Sequence, residues 1–276
     1  MRQQEEIIID ARHVINTRTG EDLSQDVLWS NKIADSSLVL QFRFDEGSGT
    51  KATDTSGKGN DGTLEESPDW VDGKIGGALQ FDGMNYVKVN QNIYSDDMTL
   101  VLWVKPSVIN DGSYHGFAGY EGASTFYRPF NLWVGPSGGN LHWWITRSDN
   151  NAYHAGHIEN FFTDIDIWYH IAFVKDDVEL KIYKNGAPIP LPDSPFTDLY
   201  KPNVFRIGRV NNYFNGKIDE IRIYNRAFSE DEIKALAENS VTLEAGETAY
   251  MTHTCNGRCR YSIILGASAR EASLEC

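Results

Sequence analysis

The first 254 residues contain no cysteine; Cys255, Cys259 and Cys276 all fall in the last 22. A globular part without cysteine does not lean on disulfides, and cysteine usage leaves the compartment open. Basic charge is scarce: 25 Lys and Arg stand against 39 Asp and Glu, a net charge of −14. Nucleic-acid phosphates call for a basic surface, so this balance argues against a nucleic-acid partner. The sequence has no apolar run of about 18 residues, the length a membrane-spanning helix requires. It also has no His-Glu-x-x-His zinc motif and no phosphate-binding glycine loop ahead of a helix. Met1 to Asp10, with Arg2, Glu5 and Glu6 among three isoleucines, does not read as a signal peptide.

What is present is strand pattern and turn chemistry. Hydrophobic residues make up 41% and aromatics 12%, enough for a sizeable core. Leu38, Leu40, Phe42 and Phe44 alternate with Val39, Gln41 and Arg43, the period of a half-buried strand. Asp45 to Gly62 then carries five glycines among Ser, Thr, Asp and Asn, a long loop of turn formers. Met98, Leu100, Leu102 and Val104 share one face of a long strand that Pro106 ends. Gly138-Gly139-Asn140 marks a hairpin turn, and Asn185-Gly186 marks another because both residues tolerate positive φ. Roughly 11 to 13 strands at sandwich spacing, with almost no helix, predict an all-β fold of two packed antiparallel sheets.

Asn215 to Glu238, NGKIDEIRIYNRAFSEDEIKALAE, closes this pattern. Strand alternation predicts Ile218, Glu220, Arg222 and Tyr224 on one face, with Asp219, Ile221 and Ile223 on the other. Ser229 and Glu232 then form a capping box that starts one short helix. Together with the opening Leu38 to Leu64 and the middle WYHIAFVKDDVELKIYKNGAPI, Trp168 to Ile189, this stretch resembles the laminin G-like, concanavalin A-like lectin/glucanase jelly-roll domains over residues 38–239. The resemblance implies a jelly roll acting as a non-catalytic recognition module. It would bind carbohydrate or an extracellular protein partner, in an extracellular or cell-envelope setting. A structural or spacer domain of a larger surface protein is the alternative.

Polysaccharide hydrolysis is a third reading. Retaining hydrolases need two carboxylates about 5 to 5.5 Å apart on one face. The E-x-D-x-E strand of the hydrolases this chain resembles is absent. Asp219 and Glu220, as strand neighbours, are expected to point oppositely, and Asp164 and Asp166 precede Trp168 in a loop. The chain is therefore expected not to be an enzyme. Residues 1–37 read as a leader or the remnant of a preceding module, in which Ile7 to Ile9 has strand character. Residues 240–276 read as a Cys-containing tail, either a small appendix or a disordered end. Its Cys255-Asn-Gly-Arg-Cys259 lacks the second ligand pair of a zinc knuckle and reads as a local disulfide or two free thiols.

Two sets of candidate site residues follow. Asp45-Glu46 and Asp54 to Gly62 place carboxylates and exposed carbonyls in a glycine-shaped turn, and calcium takes roughly six to eight such oxygens. The resemblance implies a structural calcium near this loop, completed by an acidic residue on the closing strand, Asp219. The expected metal ligands are Asp45, Asp54, Asn60 and Asp219; a turn held by Asx hydrogen bonds without an ion is the other reading. The aromatic-rich middle supplies Tyr127, Arg128, His142, Trp144, Arg147 and Tyr153 as candidates for carbohydrate, whose apolar faces stack on rings while polar side chains take the hydroxyls. Trp143 and Trp144 are adjacent, so one is expected in the core and one on the opposite side of its sheet.

Overall fold

The computed structural model describes residues 36–91, 93, 95–121, 130–146, 153–176, 179–191 and 204–238, with strand segments at 7–9, 27–29, 241–243, 248–255, 257–264 and 272–275. The chain divides into two units, Ser37–Ser229 and a terminal unit of Met1–Ser36 with Glu230–Cys276. The terminal unit opens with β1 (Ile7–Ile9) and β2 (Val27–Trp29).

The larger unit runs through β3 (Leu38–Phe42), β4 (Lys51–Ala52), β5 (Gly62–Glu65), β6 (Asp69–Asp72), β7 (Gly77–Asp82), β8 (Tyr86–Val89) and β9 (Met98–Pro106). It continues with β10 (His115–Glu121), β11 (Asn131–Val134), β12 (Leu141–Thr146), β13 (Tyr153–Ile158), β14 (Tyr169–Asp176), β15 (Glu179–Lys184) and β16 (Ala187–Ile189). It ends with β17 (Val204–Ile207), the small hairpin β18 (Arg209–Val210) and β19 (Asn212–Tyr213), and β20 (Asn215–Tyr224). The chain then returns to the terminal unit in α1 (Glu230–Ala237), β21 (Val241–Leu243), β22 (Thr248–Cys255), β23 (Gly257–Ile264) and β24 (Ala272–Glu275). There β1 pairs with β21, and β2-β22-β23-β24 form an antiparallel sheet. Cys255 and Cys259 lie on β22 and β23, their side chains outside the described residues. No helix among the described residues is long and apolar enough to cross a membrane.

The sandwich has two antiparallel sheets of eight strands. One has the order β13-β12-β11-β10-β17-β8-β5-β4. The other has β16-β15-β14-β9-β20-β7-β6, with β3 also paired to β20. The expected neighbourhood of the early and late strands is thus present: Phe42 faces Ile221 and Leu40 faces Ile223. Alternate residues of both sheets meet in one core, among them Leu40, Phe42, Leu100, Leu102, Leu132, Trp143, Ile171 and Phe173. Period-two sequences fold this way because only one face of each strand loses its water.

One strand departs from strict alternation. Ile218 and Ile221 are three residues apart, yet both lie in the core with Ile223. A β-bulge between Asp219 and Arg222 shifts the register against β9, and Glu220 takes a left-handed φ of 48°. The extra residue inverts the phase of the strand. Ile218 therefore does not share a face with Glu220 as alternation predicted. Asp219 and Glu220 both turn away from the core instead of pointing oppositely.

Candidate functional site

The first sheet carries an open groove of about 410 Å3 on the face away from the core. Its floor comes from the alternation of β12. Leu141, Trp143 and Ile145 enter the core, so His142 and Trp144 must emerge on the other side. The adjacent strands extend the floor in register: Trp133 on β11 and His157 on β13 flank His142, while Asn131 and Ala155 flank Trp144. The hairpin joining β11 to β12 is closed by Gly135 N–H donating to the Asn140 carbonyl at 2.7 Å. Gly135 is also required beside the groove, because a Cβ there would lie 2.4 Å from the His142 ring. This turn, Gly135-Pro136-Ser137-Gly138-Gly139, has the spacing of a hydrolase nucleophile elbow, but it links two strands and no helix follows it.

Rings are held in fixed relation along this floor. His142 meets Tyr114 edge to face at 4.9 Å and stacks on His157 at 5.1 Å. Burial, and then the neighbouring His157, hold the His142 pKa below its ordinary value. Trp133 donates from Nε1 to the Val210 carbonyl at 2.8 Å, which pins the small hairpin beside the floor. Asn211 and Asn212 of that hairpin complete the lining with amide groups.

Of the residues expected to bind carbohydrate, the structure brings His142 and Trp144 together in this groove. Trp143 and Trp144 divide as expected, the first buried in the core and the second half-buried on the groove floor. Tyr127, Arg128 and Arg147 lie outside the described residues; Tyr153 opens β13, and its side chain is likewise outside them. Sequence reasoning did not name Tyr114, Trp133, His157, Asn211 or Asn212. The one available signal was alternation, which places Trp133 opposite in phase to Leu132.

The four expected metal ligands fall into two hydrogen-bonded groups. Asp54 Oδ1 accepts from the Gln41 and Ser56 amides, and Oδ2 accepts from Ser56 Oγ and the Asn60 amide, all at 2.8 to 3.0 Å. Asn60 donates its side-chain amide to the Val39 carbonyl at 2.8 Å. This group fixes the loop after β3 against that strand. Asp45 and Asp219 instead hold the bend before β7 from two sides. Asp45 Oδ1 accepts from Gly77 N–H at 2.7 Å, and Asp219 Oδ2 accepts from the Lys74 and Ile75 amides at 2.8 and 2.9 Å.

Asp219 has no accessible surface, and its Oδ1 is buried without a hydrogen-bond partner among the described residues. Burial, reinforced by the Glu220 charge, pushes its pKa up to about 8. Glu220 is itself buried and takes a 2.5 Å hydrogen bond from Arg222. Across the sheet, Asp219 stands opposite Trp103, and Trp103 opposite His170. His170 meets the Trp103 ring at 5.2 Å, and burial pulls its pKa down to about 3. Among the described residues, no three His, Cys, Asp or Glu side chains converge on a metal position. Any ion at Asp219 would thus draw on backbone carbonyls. The Gly77 carbonyl is near: a Cβ on Gly73 would lie 2.2 Å from it and 2.7 Å from Asp219 Oδ2.

Residues 81–234 match the family model described as the concanavalin A-like lectin/glucanases superfamily. No curated protein sequence matches the chain. Among solved structures, domain 4 of AbnA, a GH43 extracellular arabinanase from Geobacillus stearothermophilus in complex with arabinotriose, is 25% identical, with a TM-score of 0.55, covering 73% of this chain and 98% of that one. The binding domain of Paraclostridial Mosquitocidal Protein 1 is 18% identical, with a TM-score of 0.60 and coverages of 83% and 64%. The binding domain of botulinum neurotoxin DC in complex with SialylT is 11% identical, with a TM-score of 0.58 and coverages of 83% and 74%. The last two share the fold.

Proposed function

Because the chain belongs to the concanavalin A-like lectin/glucanases superfamily, we propose that the groove over Trp144 is a non-catalytic carbohydrate-recognition site. The groove itself carries this reading: indole, phenol and imidazole rings form its floor and wall, and two asparagines stand at its edge. Sugars lay their C–H faces on such rings and exchange hydroxyl hydrogen bonds with amides and imidazoles. Its volume falls within the span of roughly 300 to 1,000 Å3 usual for small-ligand sites. The arabinanase domain in complex with arabinotriose is in keeping with a sugar ligand. Asp219 and Glu220 favour recognition over hydrolysis, since they are buried at 0% and 6% exposure and are engaged by backbone amides and Arg222. An extracellular or envelope setting agrees with the extracellular arabinanase. The test is a glycan array probed with the full chain and with Trp144→Ala. Signal confined to the unmodified chain supports the reading; an array without signal, or signal indifferent to the substitution, refutes it.

The same reading includes a structural calcium at Asp219. A buried carboxylate oxygen without a donor calls for either a proton or a cation, and the hard oxygens around the bend before β7 suit calcium. Asp219 Oδ1 would hold it, with Asp45 and carbonyls of the 73–77 bend at hand. The ion would supply positive charge that neutralises Asp219 and fixes the bend. Asp54 suits the role less, because both of its oxygens already accept two hydrogen bonds each. A rise in melting temperature with calcium, lost in Asp219→Asn, would support this; equal melting in calcium and in chelator would remove it.

A further inference from the structure

The groove has two walls, and both are fastened to the sheet. The first is the small hairpin. β17 ends at Ile207, and Gly208 takes a left-handed φ of 82°, which turns the chain out of the sheet. The Gly208 amide donates to the Phe117 carbonyl at 2.9 Å, and the Phe214 amide closes the hairpin base onto the Gly208 carbonyl at 2.8 Å. The hairpin then lies over β10, where Gly116 makes room for it: a Cβ there would lie 2.7 Å from the Val210 amide nitrogen and carbonyl oxygen. With the Trp133 hydrogen bond to the same carbonyl, these contacts hold the exposed tip, Asn211 and Asn212, at the β10 side of the groove. The second wall is Tyr114. His115, Val134, Leu141 and Ile158 are successive register partners, so Tyr114 stands past the end of the sheet, where β11 turns into β12. Its loop is tied to that turn: Gly112 N–H donates to the Pro136 carbonyl at 2.9 Å, and Gly139 N–H donates to Asn110 Oδ1 at 2.7 Å. The Tyr114 ring is 42% exposed and stands at 88° to the His142 ring.

The two walls make a corner around His142. A ligand lying along β12 meets Tyr114, and one lying across the strands toward β10 meets the hairpin. The side toward Trp144 is low: Ala155, opposite Trp144 on the edge strand β13, is exposed and carries only a methyl group. His142 and Trp144 are alternate residues of β12, about 7 Å apart along the strand, so they can carry neighbouring units of one chain. A glycan end is marked by a hydroxyl where an interior unit carries a glycosidic bond. Fixed walls reject the continuing chain, while imidazole and amide groups at the corner take the hydroxyl. We propose that the groove recognises the end of a glycan chain, with the terminal unit in the corner at His142 and the next unit on Trp144. This rests on the carbohydrate reading of the groove.

A polymer offers many interior units but few ends, so recognition of an end and recognition of the interior differ in valency. The experiment is calorimetry of the full chain against linear arabinan, xylan, galactan, mannan and hyaluronan, each as the polymer and as an enzymatic digest of equal mass. For a polymer that binds, digestion to about a tenth of its length should raise the number of sites per gram about tenfold, in step with the number of ends. Borohydride reduction then separates the two kinds of end: loss of binding assigns the reducing end, and unchanged binding the other. Tyr114→Ala opens one wall and should admit interior units, so that sites per gram no longer depend on length. Asn212→Ala tests the other wall in the same way, should Tyr114→Ala fail to fold. Sites per gram that stay constant on digestion of the unmodified chain's ligand overturn end recognition, as does an end preference that both substitutions leave intact. In either case the groove stands if Trp144→Ala abolishes binding. No binding to any of the probes, or binding indifferent to Trp144→Ala, overturns both.

Discussion

His142 and His157, opposite one another on β12 and β13, stack with ring centres 5.1 Å apart and planes inclined by 21°. Two imidazolium ions cannot share that spacing cheaply, and His142 is half-buried against Tyr114 as well. Its pKa lies below the usual 6.5, through burial first and the His157 charge second, so the ring is neutral at pH 7. The groups facing it are Tyr114, Trp133 and His157, with Glu159 beside His157 at 3.8 Å.

Glycan affinity is therefore expected to be flat between about pH 8 and 7 and to fall as pH drops below the ordinary imidazole range. Protonated His142 can neither accept a hydroxyl hydrogen bond nor stack as a neutral ring. Calorimetry across this range, on the best ligand from the array, reads the effect. His142→Phe keeps the stacking surface and should flatten the profile. Equal acid sensitivity in both proteins would assign the loss to another group.

Adjacent tryptophans offer opposite outcomes. Trp143→Ala opens a cavity in the core and should cost about 3 to 5 kcal/mol of stability in denaturant unfolding. Trp144→Ala removes a half-buried ring from the groove floor. It should weaken glycan binding about tenfold or more while shifting stability much less. If Trp144→Ala unfolds the protein as readily as Trp143→Ala, the ring is packing rather than a binding platform.

That contrast was legible from two letters, because alternation within a strand is a local property. The same holds for the β3 strand and the turn formers after it, and for the Asn185-Gly186 hairpin between β15 and β16. The bulge at Asp219–Glu220 was not legible. It depends on which β9 residue each β20 residue faces, and Ile218-Asp219-Glu220-Ile221 also fits an unbroken strand. The groove was half legible for a related reason. Tyr114, Trp133, His142, His157 and Asn211 come from five separate stretches, and only the strand order brings them together. Asp45 and Asp219 are 174 positions apart in the chain, yet they converge on one bend because β20 lies between β9, β3 and β7.

Asp54 accepts four hydrogen bonds, from the amides of Gln41, Ser56 and Asn60 and from the Ser56 hydroxyl. Asp54→Ala leaves those donors without their acceptor in a part-buried loop, and each typically contributes about 0.5 to 1.5 kcal/mol. A loss of about 2 to 4 kcal/mol in urea unfolding is expected. The melting-temperature gain on adding calcium should match that of the unmodified chain, since the oxygens of Asp54 serve the loop. A gain abolished by Asp54→Ala would return Asp54 to the ligand set.

Two buried groups on the other sheet push stability in opposite directions with pH. Asp219 has its pKa raised from 3.8 to about 8, so folding favours its protonated form. The folded state holds that proton where the unfolded chain has lost it, and stability falls as pH rises from about 4 to 8. His170 has its pKa lowered from 6.5 to about 3 by burial and by the Arg222 charge. The unfolded chain gains a proton there that the folded state refuses, so stability falls as pH drops from about 6.5 to 3. In chelator, unfolding measured across pH should therefore show a loss on the alkaline side that Asp219→Asn removes. The neutral amide can still accept from Lys74 and Ile75 through its oxygen while carrying no charge. Calcium should remove the same alkaline loss in the unmodified chain by supplying the missing positive charge. His170→Leu should instead relieve the acid side and leave the alkaline side as it was. If Asp219→Asn melts with the same pH profile as the parent in chelator, the buried carboxylate is compensated by some other group, and the argument for a cation beside it fails.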